Sequence, residues 1–299
     1  MMKSCALCPR MCRVDRSEMY GFCGCGDRLK IARAALHFWE EPCISGRGGS
    51  GAVFFSGCNL RCCFCQNYNI SSEGFGKEIT IERLSDLFLE LQEKGAENIN
   101  LVTPTHYVPF IIKALDMVKH KLNIPVVYNC GGYENVSTIK SLDGYIDIYM
   151  PDIKYYSDEF AKKYSKADRY FEYASNAVKV MTEQTGKIVL DGNGIMKRGV
   201  IIRHMVMPGC RKDSMNIIKW IGNNLDRESF IVSLMSQYTP AFHSDEHKEI
   251  NRKITTFEYE SVAEYCLELG LDNGYVQERT SAEKEYTPPF DLEGVERTD

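Results

Sequence analysis

Apolar and polar positions alternate along most of the chain in the manner of an α/β protein. From residue 51 onward, short apolar runs predict buried strands, and the stretches between them carry apolar residues at helical spacing. The predicted strands span 51–56, 97–103, 125–130, 145–150, 200–207 and 230–236. The predicted helices span 80–94, 108–121, 134–141, 157–184, 212–224 and 257–269.

Six strands, each followed by a helix, predict a parallel sheet. We expect an α/β fold, a partial parallel (β/α)6 barrel that does not close fully. In such barrels the functional residues lie at the carboxyl ends of the strands. The barrel should occupy residues 46–299, with a helical extension at its C-terminal end. A Gly-rich stretch from Ile44 to Gly51 leads into the first strand.

Residues 1–45 differ from the rest in composition. The first 30 or so are rich in Cys, Gly and Arg and show little apolar periodicity. So short a segment cannot bury a core of its own. The sequence therefore predicts a small cysteine-rich module, stapled by metal, ahead of the barrel.

Composition and charge limit the kinds of partner that the protein is expected to bind. The chain has 299 residues, 44% of them hydrophobic, and a net charge of −5. This charge gives no general attraction to nucleic acid or to an anionic membrane. No apolar run is long enough to span a bilayer, and the N-terminus lacks the apolar stretch of a signal peptide. We expect a cytoplasmic protein.

Cysteine is the most informative residue type. Ten of the thirteen cysteines lie within the first 65 residues, at short spacings. A reducing cytosol disfavours disulfides, so dense spacings of this kind favour metal. Cys130, Cys210 and Cys266 are scattered, and we interpret them as small buried side chains.

Cys58, Cys62 and Cys65 form a C-x3-C-x2-C loop directly after the first predicted strand. Iron–sulfur cubes normally take four cysteines, and three would leave one iron open to an outside ligand. The alternative is a structural zinc that borrows a fourth ligand. Because adjacent side chains point in different directions, we expect Cys63 to pack against the protein and not to bind the metal.

This loop resembles the signature of the radical S-adenosylmethionine enzymes. The stretches 41–46, 49–51, 54–57 and 65–67 around it resemble the branch of proteins similar to the pyruvate formate-lyase activating enzyme. The resemblance implies that Cys58, Cys62 and Cys65 bind a [4Fe–4S] cluster whose fourth iron chelates S-adenosylmethionine. Reductive cleavage would give methionine and a 5′-deoxyadenosyl radical that abstracts hydrogen from a substrate. It also implies an external one-electron donor of the flavodoxin or ferredoxin type.

The resemblance also implies which residues contact the nucleotide. The positions that match are Phe64, Thr103, Thr105, Asn129, Asp152, Lys154 and Arg203. The turn at Thr103–His106 departs from the family's Gly-Gly-Glu pattern, so its contact with the methionine amino group rests on position alone. A plain strand-terminating turn is the alternative there, and an ordinary ion pair at the barrel rim is the alternative for Asp152 and Lys154.

A second set of cysteines precedes the barrel. Four thiolates come from Cys5, Cys8, Cys12 and Cys23. Four such ligands suit a closed tetrahedral zinc site or a fully ligated iron–sulfur cluster. Cys25 competes with Cys23 for the fourth place, and unligated reduced cysteines are the remaining alternative.

Two hypotheses follow for function. The first is a radical S-adenosylmethionine enzyme that acts on a glycine of a partner glycyl radical enzyme, on another protein or on a small molecule. The second is an iron–sulfur or zinc protein for binding or electron transfer that performs no catalysis.

Overall fold

The computed structural model describes residues 3–277 and 287–296, so the start of the predicted N-terminal module and part of the C-terminal extension lie outside the described residues. Ten strands are formed in the described part. In chain order they are β1 (Leu29–His37), β2 (Ser50–Phe55), β3 (Lys77–Ile79), β4 (Ile99–Val102), β5 (Val126–Cys130), β6 (Ile148–Pro151), β7 (Val189–Leu190), β8 (Met196–Met205), β9 (Phe230–Met235) and β10 (Gly274–Val276).

Nine α-helices connect these strands in the described ranges. They are α1 (Pro42–Ser45), α2 (Tyr68–Ser71), α3 (Ile81–Glu93), α4 (Val108–Val118), α5 (Val136–Lys140), α6 (Asp158–Ser165), α7 (Tyr170–Thr185), α8 (Arg211–Asn224) and α9 (Thr256–Glu268). Short 3-10 helices span Thr105–Tyr107 and Ser244–Glu246.

The strands form one sheet in the order β10-β9-β8-β6-β5-β4-β2-β1-β3, with β7 paired to β8. The run from β2 to β10 is parallel, whereas β1 pairs antiparallel with both β2 and β3. The ordered path has two ends, so the sheet is open. The predicted α/β fold with a mostly parallel sheet is confirmed.

The predicted strands and helices lie close to observed ones, but strands β1, β3 and β7 and helices α1 and α2 are absent from the prediction. The stretch 157–184 forms two helices, because Lys166 and Arg169 adopt left-handed φ values of 51° and 53°. The strand β1, absent from the prediction, places residues 29–37 in the central sheet. Residues 29–37 of the predicted module thus pair within the sheet, and the domain boundary at residue 45 stays a prediction.

Helix α1 packs against the inner face of the sheet and covers it at one end. Its Cys43 and Ile44 pack with Val127, Ile148 and Ile201, and these side chains are almost fully buried. The residues just before α1 therefore enter the interior between the strands. The apolar layer closes that end, and the carboxyl ends of the strands face the opposite end.

The segment 287–296 returns to the sheet after residue 277. Its backbone bonds to β1 through Leu292 N to Ala32 O at 3.1 Å and Ala34 N to Glu293 O at 2.9 Å. Phe290 packs edge-on against Phe54, with ring centroids 5.4 Å apart. No helix in residues 3–277 or 287–296 is long and apolar enough to cross a membrane.

Candidate active site

A cavity of about 260 Å³ opens at the carboxyl ends of the parallel strands. Cys58, Cys62 and Cys65 border it, as the position of the loop after β2 predicts. Phe64, Thr103, Asn129, Asp152, Lys154 and Arg203 also line this cavity. The structure thus brings together nine of the ten residues predicted for this site. Their roles as ligands remain predictions.

Thr105 is the exception. It is 1% exposed, lies behind the cavity wall, and donates its hydroxyl to Glu134 Oε1 at 2.6 Å. Burial raises the pKa of the Glu134 carboxyl to about 8, although hydrogen bonds from Thr105, Tyr128 and Cys130 oppose this. The structure therefore places Thr105 in a buried polar cluster beneath the strand ends, away from the nucleotide position that we predicted for it.

Backbone contacts hold the cysteine loop in place. Gly57 has φ 86°, and its N–H donates to Ile70 O at 2.8 Å. A side chain would not fit there, because a β-carbon on Gly57 would lie 2.7 Å from Cys23 O. The end of α6 supplies two more anchors: Arg61 N donates to Ser165 O at 3.2 Å and Cys63 N donates to Tyr164 O at 2.8 Å.

The three thiols differ from Cys63 in their surroundings. Ser165 Oγ donates to Cys62 Sγ at 3.0 Å, and Cys65 Sγ lies 3.3 Å from Ser71 Oγ. Burial raises the pKa of Cys58 to about 12 and that of Cys62 to about 11, and it raises the pKa of Cys63 to about 12 as well, so the pKa values do not separate Cys63 from the others. Cys63 is not among the residues that border the cavity. The cavity therefore meets three thiols at the predicted spacing.

A network of charged side chains also lines the cavity. Asp152 bridges two cations: Lys154 Nζ donates to its Oδ2 at 2.6 Å and Arg203 Nε donates to its Oδ1 at 2.9 Å. Arg203 Nη2 also donates to Asn129 Oδ1 at 2.7 Å. Burial opposes ionisation of Asp152, but Arg203 and Lys154 outweigh it and hold its pKa below the usual value. All three groups are therefore charged at neutral pH.

Glu40, which the sequence analysis did not assign, completes this network. Its Oε2 lies 3.3 Å from Arg203 Nη1, and its Oε1 accepts from Asn100 Nδ2 at 3.1 Å and Asn129 Nδ2 at 3.3 Å. Burial raises its pKa, although the charge of Arg203 opposes this shift. The only signal in the sequence was the acidic pair Glu40–Glu41 ahead of Pro42.

Thr103 shows a strained backbone at the end of β4. Its φ is 59°, which is rare for a β-branched residue. Its N–H donates to Asn129 O at 2.8 Å, so the strand end is held against β5. Strain of this kind is found at functional sites.

Apolar and aromatic groups complete the lining. Phe64 packs against Tyr238 with centroids 5.7 Å apart, and Leu60, Met205 and Met235 line the same wall. The cavity thus combines soft sulfur ligands, a polar network with charges of both signs, and an apolar side. Such a donor set fits a thiolate-held cluster together with a ligand that carries amino, carboxylate and hydroxyl groups.

The N-terminal cysteines lie behind the loop. Cys5, Cys8 and Cys23 are each at most 8% exposed, and Cys12 is half-buried. Among residues 3–277 and 287–296, no three His, Cys, Asp or Glu side chains are arranged to hold a metal ion. This holds for the thiols of the cysteine loop as well, so both metal sites stay predictions.

Comparison with known proteins identifies the class. The Radical SAM superfamily matches residues 52–221, which is more than half of the chain. The chain belongs to this superfamily and is a radical S-adenosylmethionine enzyme. Membership implies a [4Fe–4S] cluster, S-adenosylmethionine and an external reductant.

Two relatives are similar to this chain in sequence. An uncharacterised protein of Methanocaldococcus jannaschii is 31% identical over 287 residues, covering 91% of this chain and 77% of its own. The pyruvate formate-lyase-activating enzyme of Clostridium pasteurianum is 25% identical over 186 residues, covering 59% of this chain and 69% of its own.

Solved structures support the fold. The hydrogenase maturase HydG from Carboxydothermus hydrogenoformans superposes with a TM-score of 0.52 at 15% identity, covering 77% of this chain and 53% of that one. The chain spans about half the length of several solved structures that it matches.

Proposed function

We propose that the cavity at the strand ends is where S-adenosylmethionine binds and is cleaved, and that Cys58, Cys62 and Cys65 hold the cluster there. When bound, the two cofactors supply one-electron cleavage of the sulfonium to methionine and a hydrogen-abstracting 5′-deoxyadenosyl radical. The observation that carries this proposal is the convergence of three thiols and a charged network on one cavity.

The charged network would orient the nucleotide. Lys154 and Arg203 present cationic groups that can meet a carboxylate, and the planar guanidinium of Arg203 can do so with two parallel bonds. Asp152 fixes both cations by direct contact. Asn129 lies next to them on β5 and can bond a ribose hydroxyl. These side chains hold one another before any ligand enters, which lowers the cost of ordering on binding.

The apolar wall would exclude water from the reacting atoms. Phe64, Leu60 and Tyr238 are each at most 5% exposed and lie beside the cysteine loop. A reactive radical is protected from side reactions when its site is dry. We therefore propose that the charged residues orient the nucleotide and that the apolar residues shield it.

A test compares two neighbouring cysteines. The protein is reconstituted anaerobically, reduced, and given S-adenosylmethionine, and 5′-deoxyadenosine is measured by chromatography. The wild type and Cys63→Ala should both form product, and Cys62→Ala should form at least 100-fold less. Product formation by Cys62→Ala, or its loss only in Cys63→Ala, would refute the ligand assignment. No product from cluster-loaded wild type would favour a non-catalytic electron-transfer protein.

For the substrate, we propose a backbone glycine of a partner protein, which would become a glycyl radical. Two observations support this: the 25% identity to a pyruvate formate-lyase-activating enzyme and the Asp152–Lys154 pair at the end of β6. The departure at Thr103 argues for a different contact with the methionine amino group, and Glu40 offers a carboxylate in the same cavity.

The partner can be sought directly. The reduced enzyme and S-adenosylmethionine are mixed with extract of the source cells, and the sample is examined by electron paramagnetic resonance. A glycyl doublet that appears with wild type and not with Cys62→Ala supports the proposal. A modified small molecule without any protein radical would replace it.

We also propose that the protein works in the cytoplasm. All thirteen cysteines are unpaired in the structure. Reduced thiols in this number suit a reducing compartment.

A further inference from the structure

The backbone of residues 5–25 folds back on itself and brings several cysteine side chains close together. Cys5 N donates to Val14 O, and Arg13 N donates to Cys5 O, both at 3.0 Å. A β-carbon on Gly21 would lie 3.3 Å from Cys12 Sγ and 3.5 Å from Cys23 Sγ, so these two sulfurs border the same glycine. The absence of a side chain at Gly21 therefore leaves room for the sulfurs of Cys12 and Cys23.

The other two thiols lie in the same neighbourhood. Cys5 interacts electrostatically with Cys12 and Cys23, and Cys8 interacts with Cys5 and Cys23. The four sulfurs do not converge on one ion. A cluster attaches each thiolate to a different iron, so its ligands are spread more widely than those of a single zinc ion.

An unpaired buried cation lies beside these thiols. Arg16 is 1% exposed, and although one of its amino groups donates to His106 O, its Nε and Nη2 have no hydrogen-bond partner. Arg16 interacts electrostatically with Cys5 and Cys23. Leaving charged donors buried and unmet is costly. An anionic centre with sulfide acceptors would satisfy them.

The N-terminal segment that carries these cysteines directly contacts the cysteine loop of the active site. Cys58 N donates to Cys23 O at 3.3 Å. Arg61 bridges the same two segments, donating to Phe22 O at 2.6 Å and to Cys58 O at 3.0 Å. The backbone hydrogen bond between Cys58 and Cys23 therefore links a cysteine of the active-site loop directly to a cysteine of the N-terminal set.

Cys25 has a different role from Cys23. Its Sγ contacts Ser56 O at 3.3 Å and lies against Gly57, where a β-carbon would approach it to 2.2 Å. Cys25 is thus packed against the backbone of the active-site loop, whereas Cys23 lies beside Cys12 at Gly21. The thiols of Cys23 and Cys25 also hydrogen-bond to each other, so the choice of Cys23 as fourth ligand rests on its position beside Cys12.

We propose that Cys5, Cys8, Cys12 and Cys23 hold a second iron–sulfur cluster, with Arg16 donating to its sulfurs, and that this cluster passes electrons to the one on the active-site loop. An external donor gives up one electron, the second cluster accepts it and then returns to its oxidised state as the loop cluster is reduced. No atom is transferred. The site stands on its own observations, and only its relay role rests on the proposed function.

The site is tested without the loop ligands. The triple variant Cys58→Ala, Cys62→Ala, Cys65→Ala is reconstituted with iron and sulfide. It should retain about four irons and four sulfides per chain, as a [4Fe–4S] centre requires. Its reduced paramagnetic spectrum should not change with S-adenosylmethionine. A correctly folded variant with no iron, or with one zinc per chain, would overturn the proposal.

Two further substitutions in that background serve as a matched pair. Cys23→Ala should lose the iron and Cys25→Ala should keep it, with folding of both checked by circular dichroism. Retention of iron by Cys23→Ala would contradict the ligand set. Failure of the proposed function would instead appear as a wild-type loop cluster that ignores S-adenosylmethionine, so the two failures are distinguishable.

The relay is tested in the presence of the loop cluster. In Cys23→Ala, reduction of the loop cluster by a reduced ferredoxin should slow at least tenfold relative to its reduction by dithionite. An unchanged ratio of the two rates would remove the relay role and leave the site itself standing on its metal content.

Discussion

Two cysteine-rich regions lie back to back in this molecule, and they differ in what surrounds their sulfurs. The thiols of Cys58, Cys62 and Cys65 border a cavity that Asp152, Lys154 and Arg203 also line. The thiols of Cys5, Cys8 and Cys23 are buried and that of Cys12 is half-buried, with Arg16 as a nearby cation that has two nitrogens without a hydrogen-bond partner. The first region borders the cavity at the strand ends, whereas Cys23 and Arg16 of the second border another cavity, of about 690 Å³.

The comparison shows that the number of thiols and their neighbours decide the role of a cysteine motif. Three thiols beside an open polar cavity leave room for an outside ligand. Four thiols against a buried cation need none. Each region can be altered separately, and their shared boundary can be altered as well.

The largest effect is expected at that boundary. Gly57→Ala would place a β-carbon 2.2 Å from Cys25 Sγ and 2.7 Å from Cys23 O, at a φ of 86°. Strain and overpacking together should lower the free energy of unfolding by about 3 kcal/mol or more. Chemical denaturation measures this. Cys25→Ala in the same chain should restore part of the loss, and an unchanged stability of Gly57→Ala would contradict the packing described here.

The charged wall of the open region gives the next effect. Asp152→Asn leaves Lys154 and Arg203 without their buried carboxylate and should destabilise the fold by about 3 kcal/mol. Asp168→Asn removes an exposed partner of Lys162 and should cost less than about 1 kcal/mol. Thermal unfolding of the two variants separates them. Equal losses would mean that the wall is solvated.

A pH effect is expected from Glu134, which lies beneath Thr105. Its pKa of about 8 exceeds the ordinary 4.5, so the folded state holds a proton that the unfolded state releases. The stability contributed by this group is complete below about pH 4.5 and falls as the pH rises to about 8, by up to about 1.4 kcal/mol per unit.

Glu134→Gln should remove this fall and retain the hydrogen bond from Thr105. The difference in unfolding free energy between wild type and variant, measured at pH 5.5 and 7.5, isolates the group from all others that titrate. A difference that does not vary with pH would show that Glu134 is ionised throughout this range.

The smallest effect concerns Glu40. Glu40→Gln keeps the side-chain shape but removes the charge that faces Arg203 and the cavity. We expect S-adenosylmethionine to bind about tenfold more weakly, which corresponds to about 1.4 kcal/mol. Equilibrium dialysis with the reconstituted protein measures the affinity. Asp245→Asn, on an exposed 3-10 helix, is the control and should bind as the wild type does.

Much of the fold could be predicted because its parallel strands are continuous apolar runs. The predicted strand 51–56 is observed as Ser50–Phe55, and 230–236 as Phe230–Met235. Gly95, with φ 84°, follows the last turn of α3, a position where glycine commonly ends a helix. Buried parallel strands leave this signal because both of their faces are covered.

The strand β1 and the break between α6 and α7 could not be predicted, since both depend on distant partners. The β1 strand carries Lys30 and Arg33 among its apolar residues and pairs with β2 and β3. Helix α6 ends where Tyr164 and Ser165 accept hydrogen bonds from the cysteine loop, about 100 residues earlier in the chain. No local pattern announces such contacts.

The candidate site was predictable where a strand end fixes direction. Asp152 and Lys154 share one face of the chain because side chains alternate along extended backbone, and both line the cavity. Thr105 does not line the cavity, because a 3-10 helix begins there and its hydroxyl donates to Glu134. Glu40 was missed because it enters the cavity from outside the strand–helix repeat.

The measurement that tests the central claim most directly is the effect of S-adenosylmethionine on the loop cluster. The four N-terminal ligands are replaced by alanine, the chain is reconstituted, reduced and frozen, and its paramagnetic spectrum is recorded with and without the nucleotide. A spectrum that shifts on addition, followed by equal amounts of methionine and 5′-deoxyadenosine on thawing, is the predicted result. A fully loaded cluster whose spectrum does not change and that yields neither product would contradict the account.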